Sequence, residues 1–257
     1  RRRKEWSEIW QKGKKSLLSR NKGRMPELHC VGVVCIILIA NYAIQTAGWT
    51  DFSSDLRHVW KTLPIFVLAA WVAVRGSGVP RETRHWLAMA LLAGAAGDVL
   101  ISLAKEGIVP AAVAFGIGHA IYMSTFVSAT KRINRPLAIA AIAWNAFVTY
   151  ECLLPILAIG AIPVVIMFAY SLVLTASVVY SGSQFLHGST NMTPSNSHFW
   201  RFLGFSSFYF SDSILILKHT DHHIPYGEAL ILLSYYFAQY LFVRAAVSEA
   251  KAKARVE

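Results

Sequence analysis

A chain of 257 residues that is 55% hydrophobic and only 15% charged is not an ordinary soluble domain, whose charged share sits near a quarter. Its net charge of +11 invites a nucleic-acid reading, but the charges fall in the connections between apolar runs, which argues against nucleic acid as a partner. Those runs approach or reach the roughly 20 residues that cross a bilayer and predict an all-α, polytopic membrane bundle of about eight transmembrane helices.

In chain order, residues 1–27 form a basic tail. Its segment "KEWSEIWQKGKKSLLSR" sets Trp6, Ile9, Trp10, Leu17 and Leu18 among basic residues. It is either an amphipathic helix lying on an anionic membrane surface or a disordered tail that fixes orientation. A long charged stretch ahead of the first apolar run argues against a cleaved signal peptide. The predicted spans are Leu28–Ala47, Val59–Val74, His85–Ala104, Ile108–Ser128, Pro136–Cys152, Ala161–Tyr180, Phe199–Leu217 and Pro225–Val243. Residues 28–244 thus make one transmembrane bundle with brief connections, and residues 245–257 a C-terminal tail.

The basic residues alternate sides. The N-terminal tail, the second–third, fourth–fifth and sixth–seventh connections (the last through Arg201) and the C-terminal end carry most of them. Arg57, Lys61, Lys105 and Lys218 are left on the other side. This positive-inside pattern places both termini in the cytosol. Cys30, Cys35 and Cys152 lie in or beside apolar runs and give neither a disulfide framework nor a metal pattern. The triplet Asn191-Met192-Thr193 falls on the cytosolic side and is expected to be unmodified.

Two runs break the apolar rule. "GAAGDVLISL" carries Asp98 and "FYFSDSILIL" carries Asp212. A carboxylate near the bilayer centre costs about 2.5–3.5 kcal/mol on insertion scales and commonly marks function. Gly94 and Ser102 flank Asp98 at helical spacing, and Gly204, Ser207 and Ser211 lie near Asp212. Small residues let helices approach and leave room beside a carboxylate. Counting along the spans puts both aspartates about 8–9 Å from the same end, so a shared site is plausible. In "FGIGHAIY", Phe115, His119 and Tyr122 share one face. Tyr235 and Gln239 do so in "LSYYFAQYLF", with Tyr236 one position round, and Tyr170 joins from the sixth span. Lys61, in "WKTLPIF", is either a snorkelling boundary residue or an inward counter-ion. Against these stand bland readings: a lone membrane histidine is usually a helix clamp, and lone tyrosines are usually core. A rival cluster, His219, Asp221, His222 and His223, has residue types that suit zinc, but its spacing reads as a solvated loop.

The segments "WKTLPIF", "AGAAGDVLI", "FGIGHAIYMSTF", "GFSSFYFSDSILIL" and "IPYGEALILLSYYFAQYLF", in that order from Lys61 to Phe242, resemble the YhhN-like lysoplasmalogenases, multi-spanning membrane enzymes. The resemblance implies hydrolysis of the vinyl ether bond of lysoplasmalogens to a fatty aldehyde and glycerophosphoethanolamine or glycerophosphocholine. It implies a site in which Asp98 and Asp212 are catalytic and Lys61, His119, Tyr122, Tyr235, Tyr236 and Gln239 bind substrate, with Tyr170 of the sixth span expected beside them. It also implies an endoplasmic reticulum membrane location. The sequence departs from the family pattern at Phe205, where a small residue is expected. The chemistry needs no metal or cofactor: one buried carboxyl protonates the vinyl ether, the other stabilises the oxocarbenium and activates water, and Lys61 can hold the lipid phosphate. The partners expected are a lysophospholipid substrate and membrane lipid. Competing readings are a proton-coupled transporter and a metal-dependent hydrolase with Asp98, Asp212 and His119 as ligands.

Overall fold

A computed structural model of the chain describes residues 24–46, 57–103, 107–158, 160–190 and 195–256. The tail through residue 23, Lys105 and the Asn191 triplet lie outside the described residues. Eight α-helices follow in order: α1 Arg24–Gln45, α2 Arg57–Val74, α3 Arg81–Leu103, α4 Ile108–Ser124, α5 Arg135–Val148, α6 Ala161–His187, α7 Ser195–His219 and α8 Gly227–Val256. Among the described residues there is no β-strand, only an isolated bridge between Thr130 and Ser189. Six of the helices are long and apolar enough to cross a membrane; α2 is apolar but shorter. This is an integral membrane protein.

The helices form where the sequence is apolar, and the interior gathers an apolar core together with the polar side chains that lipid would not accept. The outward faces of α1, α5 and α6 expose Ile36, Ile139 and Ile162 by 65% or more, as a bilayer allows. The buried set includes Ser177, Ser181, Ser183, Gln184, Asp98, His119 and Gln239. In hydrocarbon every polar group must find its partner inside the bundle, so polar residues point inward. The closest pairings are α7 along α8 and α3 against both α2 and α4.

Helix ends follow local chemistry. Asn134 caps α5 by accepting from the Leu137 amide at 2.9 Å, with Pro136 in the first turn. The α5 helix ends in a π turn at Thr149–Leu153. The α2–α3 connection turns at Gly76, at φ 50°, and a Cβ there would lie 1.9 Å from the Arg84 side chain, so only glycine fits. One difference from the sequence-based spans is α8, which continues as helix to Val256 instead of ending at Val243. Its Val247, Ala250 and Ala252 are buried, so helical packing persists although charges enter the sequence.

Gly182 on α6 shows how tight the packing is. A Cβ at this position would lie 2.3 Å from Leu137 on α5 and 2.8 Å from Phe202 on α7. Gly182→Leu is expected to destabilise the bundle by about 1–3 kcal/mol through overpacking. A lowered thermal unfolding midpoint in detergent is the expected result, and an unchanged midpoint would show that α5 and α7 are not held this closely.

Candidate functional site

Asp98 lies on α3, roughly 8 Å along the axis from its C-terminal end, and Asp212 on α7, roughly 10 Å from its own. Both helices run in the same direction in the up-and-down order of the bundle, so the carboxylates share a depth. Their environments differ. Asp98 is 2% exposed. Its Oδ1 faces the Lys61 ammonium at 3.5 Å, and its Oδ2 accepts from the Tyr235 hydroxyl at 2.6 Å. Asp212 accepts from the Tyr170 hydroxyl at Oδ2 and has no cation within ion-pair distance among the described residues. The charges of Asp98 and Lys61 nonetheless reach Asp212.

Backbone features place these groups. Pro64 sits inside α2 and cannot donate to the carbonyl four residues back. Beside this interruption, the Tyr236 hydroxyl donates to the Lys61 carbonyl at 2.6 Å. Tyr236, expected among the substrate-binding groups, has its hydroxyl on the backbone that carries Lys61. Tyr122 donates to Gln239 Oε1 at 3.1 Å. Gly94 lies under this group, and a Cβ there would sit 3.0 Å from Gln239 and 3.3 Å from the Tyr235 hydroxyl. Seven expected residues, Lys61, Asp98, His119, Tyr122, Tyr170, Tyr235 and Gln239, line one connected interior with Asp212.

His119 is the group with an open valence. Its Nδ1 lies 3.0 Å from the Phe115 carbonyl. A carbonyl only accepts, so Nδ1 carries the proton and Nε2 is a lone-pair acceptor. That Nε2 is buried with no hydrogen-bond partner among the described residues. The ring packs edge-on against Phe208 at 4.3 Å, with Phe205, Tyr122, Tyr170 and Phe242 around it.

Asp212 and Tyr170 face a largely apolar cavity of about 60 Å³ that Phe115, Asn145, Thr149 and Tyr209 also line. Sequence reading did not single out these last three. Thr149 stands on the π turn, and its hydroxyl is also buried and without a partner. Such turns cluster at functional sites, but nothing in the sequence marks one. Phe115 is held over the cavity because α3 offers Gly97 beneath it, where a Cβ would strike the ring at 2.7 Å. A second, more polar cavity of about 280 Å³ lies at the other end of α4, lined by Tyr122, Phe205, Arg201 and Glu249 among others. Phe205 thus sits between the carboxylates and this cavity.

Among the described residues no group of three or more His, Cys, Asp or Glu side chains converges as a metal set requires. His222 in the α7–α8 connection is turned back onto Thr220 and the Leu217 carbonyl.

A membrane-embedded helical bundle with two inward carboxylates in unlike settings is the class these features define. The chain belongs to the YhhN family, whose sequence model matches residues 56–246. No curated protein and no solved structure matches it.

Removing Lys61 leaves Asp98 a buried charge facing no cation. Lys61→Met is expected to cost about 3–5 kcal/mol of stability, and Lys61→Met combined with Asp98→Asn to recover much of it. Detergent melting of the three variants measures this; a double variant no more stable than Lys61→Met would mean that the ion pair does not hold α2 to α3.

Proposed function

We propose that the protein is a lysoplasmalogenase: it hydrolyses the vinyl ether of 1-alkenyl-glycerophosphoethanolamine or -choline to a fatty aldehyde and the glycerophosphodiester, in the endoplasmic reticulum membrane. Membership of the YhhN family supports the reaction class, by the resemblance drawn from the sequence. The observation that carries the mechanism is the asymmetry between the two carboxylates.

A vinyl ether breaks under acid. A proton added to the carbon remote from oxygen leaves an oxocarbenium ion. Water adds to the adjacent carbon, giving a hemiacetal, which collapses to aldehyde and alcohol. The reaction consumes one water, and the catalytic proton is returned. The site must supply a proton to carbon, and then a base for water. Asp212 suits the first role. Among the described residues it has no ion-pair cation, it fronts an apolar cavity suited to the first carbons of an alkenyl chain, and with Tyr170 on Oδ2 its Oδ1 is left to carry the proton. Asp98 suits the second. Lys61 and Tyr235 both favour its anion, and in that form it stabilises the cation and takes a proton from water. Glycosidases divide acid and base roles between two carboxyls around a similar cation. The Nε2 of His119 and the Tyr122–Gln239 pair would orient water or the glycerol part of the substrate. No step calls on a metal or cofactor.

A proton-coupled carrier is the second reading, favoured by one observation: two cavities near opposite ends of the bundle, parted by an aromatic layer. The purified protein separates the two. With 1-alkenyl-lysophosphatidylethanolamine it should release fatty aldehyde, undiminished by EDTA. Asp212→Asn and Asp98→Asn should each lower kcat by about 10²-fold or more while the variants stay folded. A folded wild type that yields no aldehyde would overturn the hydrolase reading and leave the carrier.

A further inference from the structure

The second cavity has a charge pattern that the chemistry above does not use. Arg201, counted from the sequence as a connection residue, lies inside α7 with its side chain 10% exposed. One guanidinium nitrogen donates to Gln184 Oε1 at 2.9 Å and the other to Glu249 Oε2 at 2.6 Å. Gln184 is itself anchored, donating to the Phe126 carbonyl at 2.7 Å and to Thr130 at 3.0 Å. Glu249 Oε1 also meets Lys253 at 3.0 Å. Glu82, in the first turn of α3, completes the charged part of the wall. The cavity therefore presents two cations and two anions. A guanidinium has five N–H donors, so donors remain on Arg201 after these contacts.

This arrangement does not match a simple anion site, because the cationic and acidic side chains are equal in number. It matches a zwitterion. Resting on the proposed reaction, we propose that this cavity is the headgroup subsite: the phosphodiester of a single-chain glycerolipid lies against Arg201 and Lys253, with the amine end toward Glu82 and Glu249. Lys61, expected from the sequence to hold the phosphate, faces Asp98 and is not in the wall of this cavity; the phosphate goes instead to Arg201 and Lys253.

The spacing supports a single substrate pose through both cavities. On α7, Phe205 lines the polar cavity and Tyr209 the apolar one, four residues or about 6 Å apart along the axis. On α4 the corresponding residues, Tyr122 and Phe115, are about 10 Å apart. The glycerol unit together with its phosphodiester and the first carbons of the chain bridges a partition of that thickness. His119 stands midway on α4, with Nε2 as an acceptor awaiting a donor. The free hydroxyl of a lysolipid supplies that donor. An acylated second position supplies none and adds a chain the aromatic layer has no space for. In this pose the vinyl ether, first in the chain, arrives at Asp212, and the chain enters the apolar cavity beyond it.

The test compares two substrates that differ only in the headgroup: 1-alkenyl-glycerophosphoethanolamine and 1-alkenylglycerol. Lys253 is half-exposed, so Lys253→Gln should fold; Arg201→Gln is the stronger but riskier variant. Each is expected to raise KM for the phosphodiester lipid by about tenfold or more, to leave KM for the alkenylglycerol unchanged, and to keep kcat within a few-fold for both. Lys253→Arg should restore the wild-type KM. KM values that move together for both substrates, or not at all, would overturn the subsite. A binding arm that needs no turnover uses the wild type with labelled 1-O-alkyl-glycerophosphoethanolamine, which has no vinyl ether. Binding that weakens in Lys253→Gln supports the subsite even if aldehyde release fails, and so separates this inference from the hydrolase reading. Displacement of the label by inorganic phosphate as effectively as by glycerophosphoethanolamine would overturn it in favour of a free-anion site.

Discussion

The bundle is organised by the need to house two carboxylates where there is no water. An ionised aspartate in hydrocarbon is costly unless neighbours supply charge and hydrogen bonds. Asp98 recruits Lys61 from α2 and Tyr235 from α8, so one residue fixes three helices. Asp212 recruits Tyr170 from α6 and fixes two more. The close approach of α3 to α8 is possible because Gly94 leaves room for Gln239 and Tyr235, and that of α3 to α4 because Gly97 leaves room for Phe115. Small residues and carboxylates are thus parts of one solution: the small residues bring the backbones near enough for the polar side chains to meet.

What the sequence disclosed follows from which signals are local. Apolar run length is local, and it located the eight helices of the described residues. A charge inside an apolar run is local, and it marked Asp98 and Asp212. Partnership is not local. Tyr235 and Tyr236 are adjacent and chemically identical, yet one donates to a carboxylate and the other to a backbone carbonyl. Only the rotation of α8 against α2 and α3 decides that. Arg201 read as a connection charge because arginine near the start of an apolar run usually marks a membrane boundary. Its burial depends on Gln184 and Glu249 from two other helices. The π turn at Thr149 and the extension of α8 to Val256 depend on tertiary packing, so neither leaves a trace in hydropathy.

Under the proposed reading, the division of labour between the carboxylates needs no difference in residue type. Both are aspartates at similar depth. The difference lies in what faces them: a lysine and a tyrosine for one, a tyrosine and an apolar cavity for the other. Environment alone sets acid against base, which is how paired carboxylates elsewhere acquire separate roles. The reacting cation would form between an anion already stabilised by Lys61 and an acid that has just become an anion, so positive charge develops where negative charge is concentrated.

The two cavities give the interior a direction. One is walled by charges of both signs, the other is mostly apolar, and an aromatic layer that holds an open acceptor, His119 Nε2, separates them. An amphiphile can satisfy all three regions at once only in one orientation, with its polar end at Arg201 and its chain beyond Asp212. A site built to receive a hydroxyl rejects an analogue that lacks one far more strongly than an apolar pocket rejects an extra methylene, because the buried acceptor is then left without a donor. Selectivity for a single-chain lipid would therefore arise from the same partition that sets the vinyl ether beside the carboxylates, and it would be exerted several ångströms from the bond that breaks.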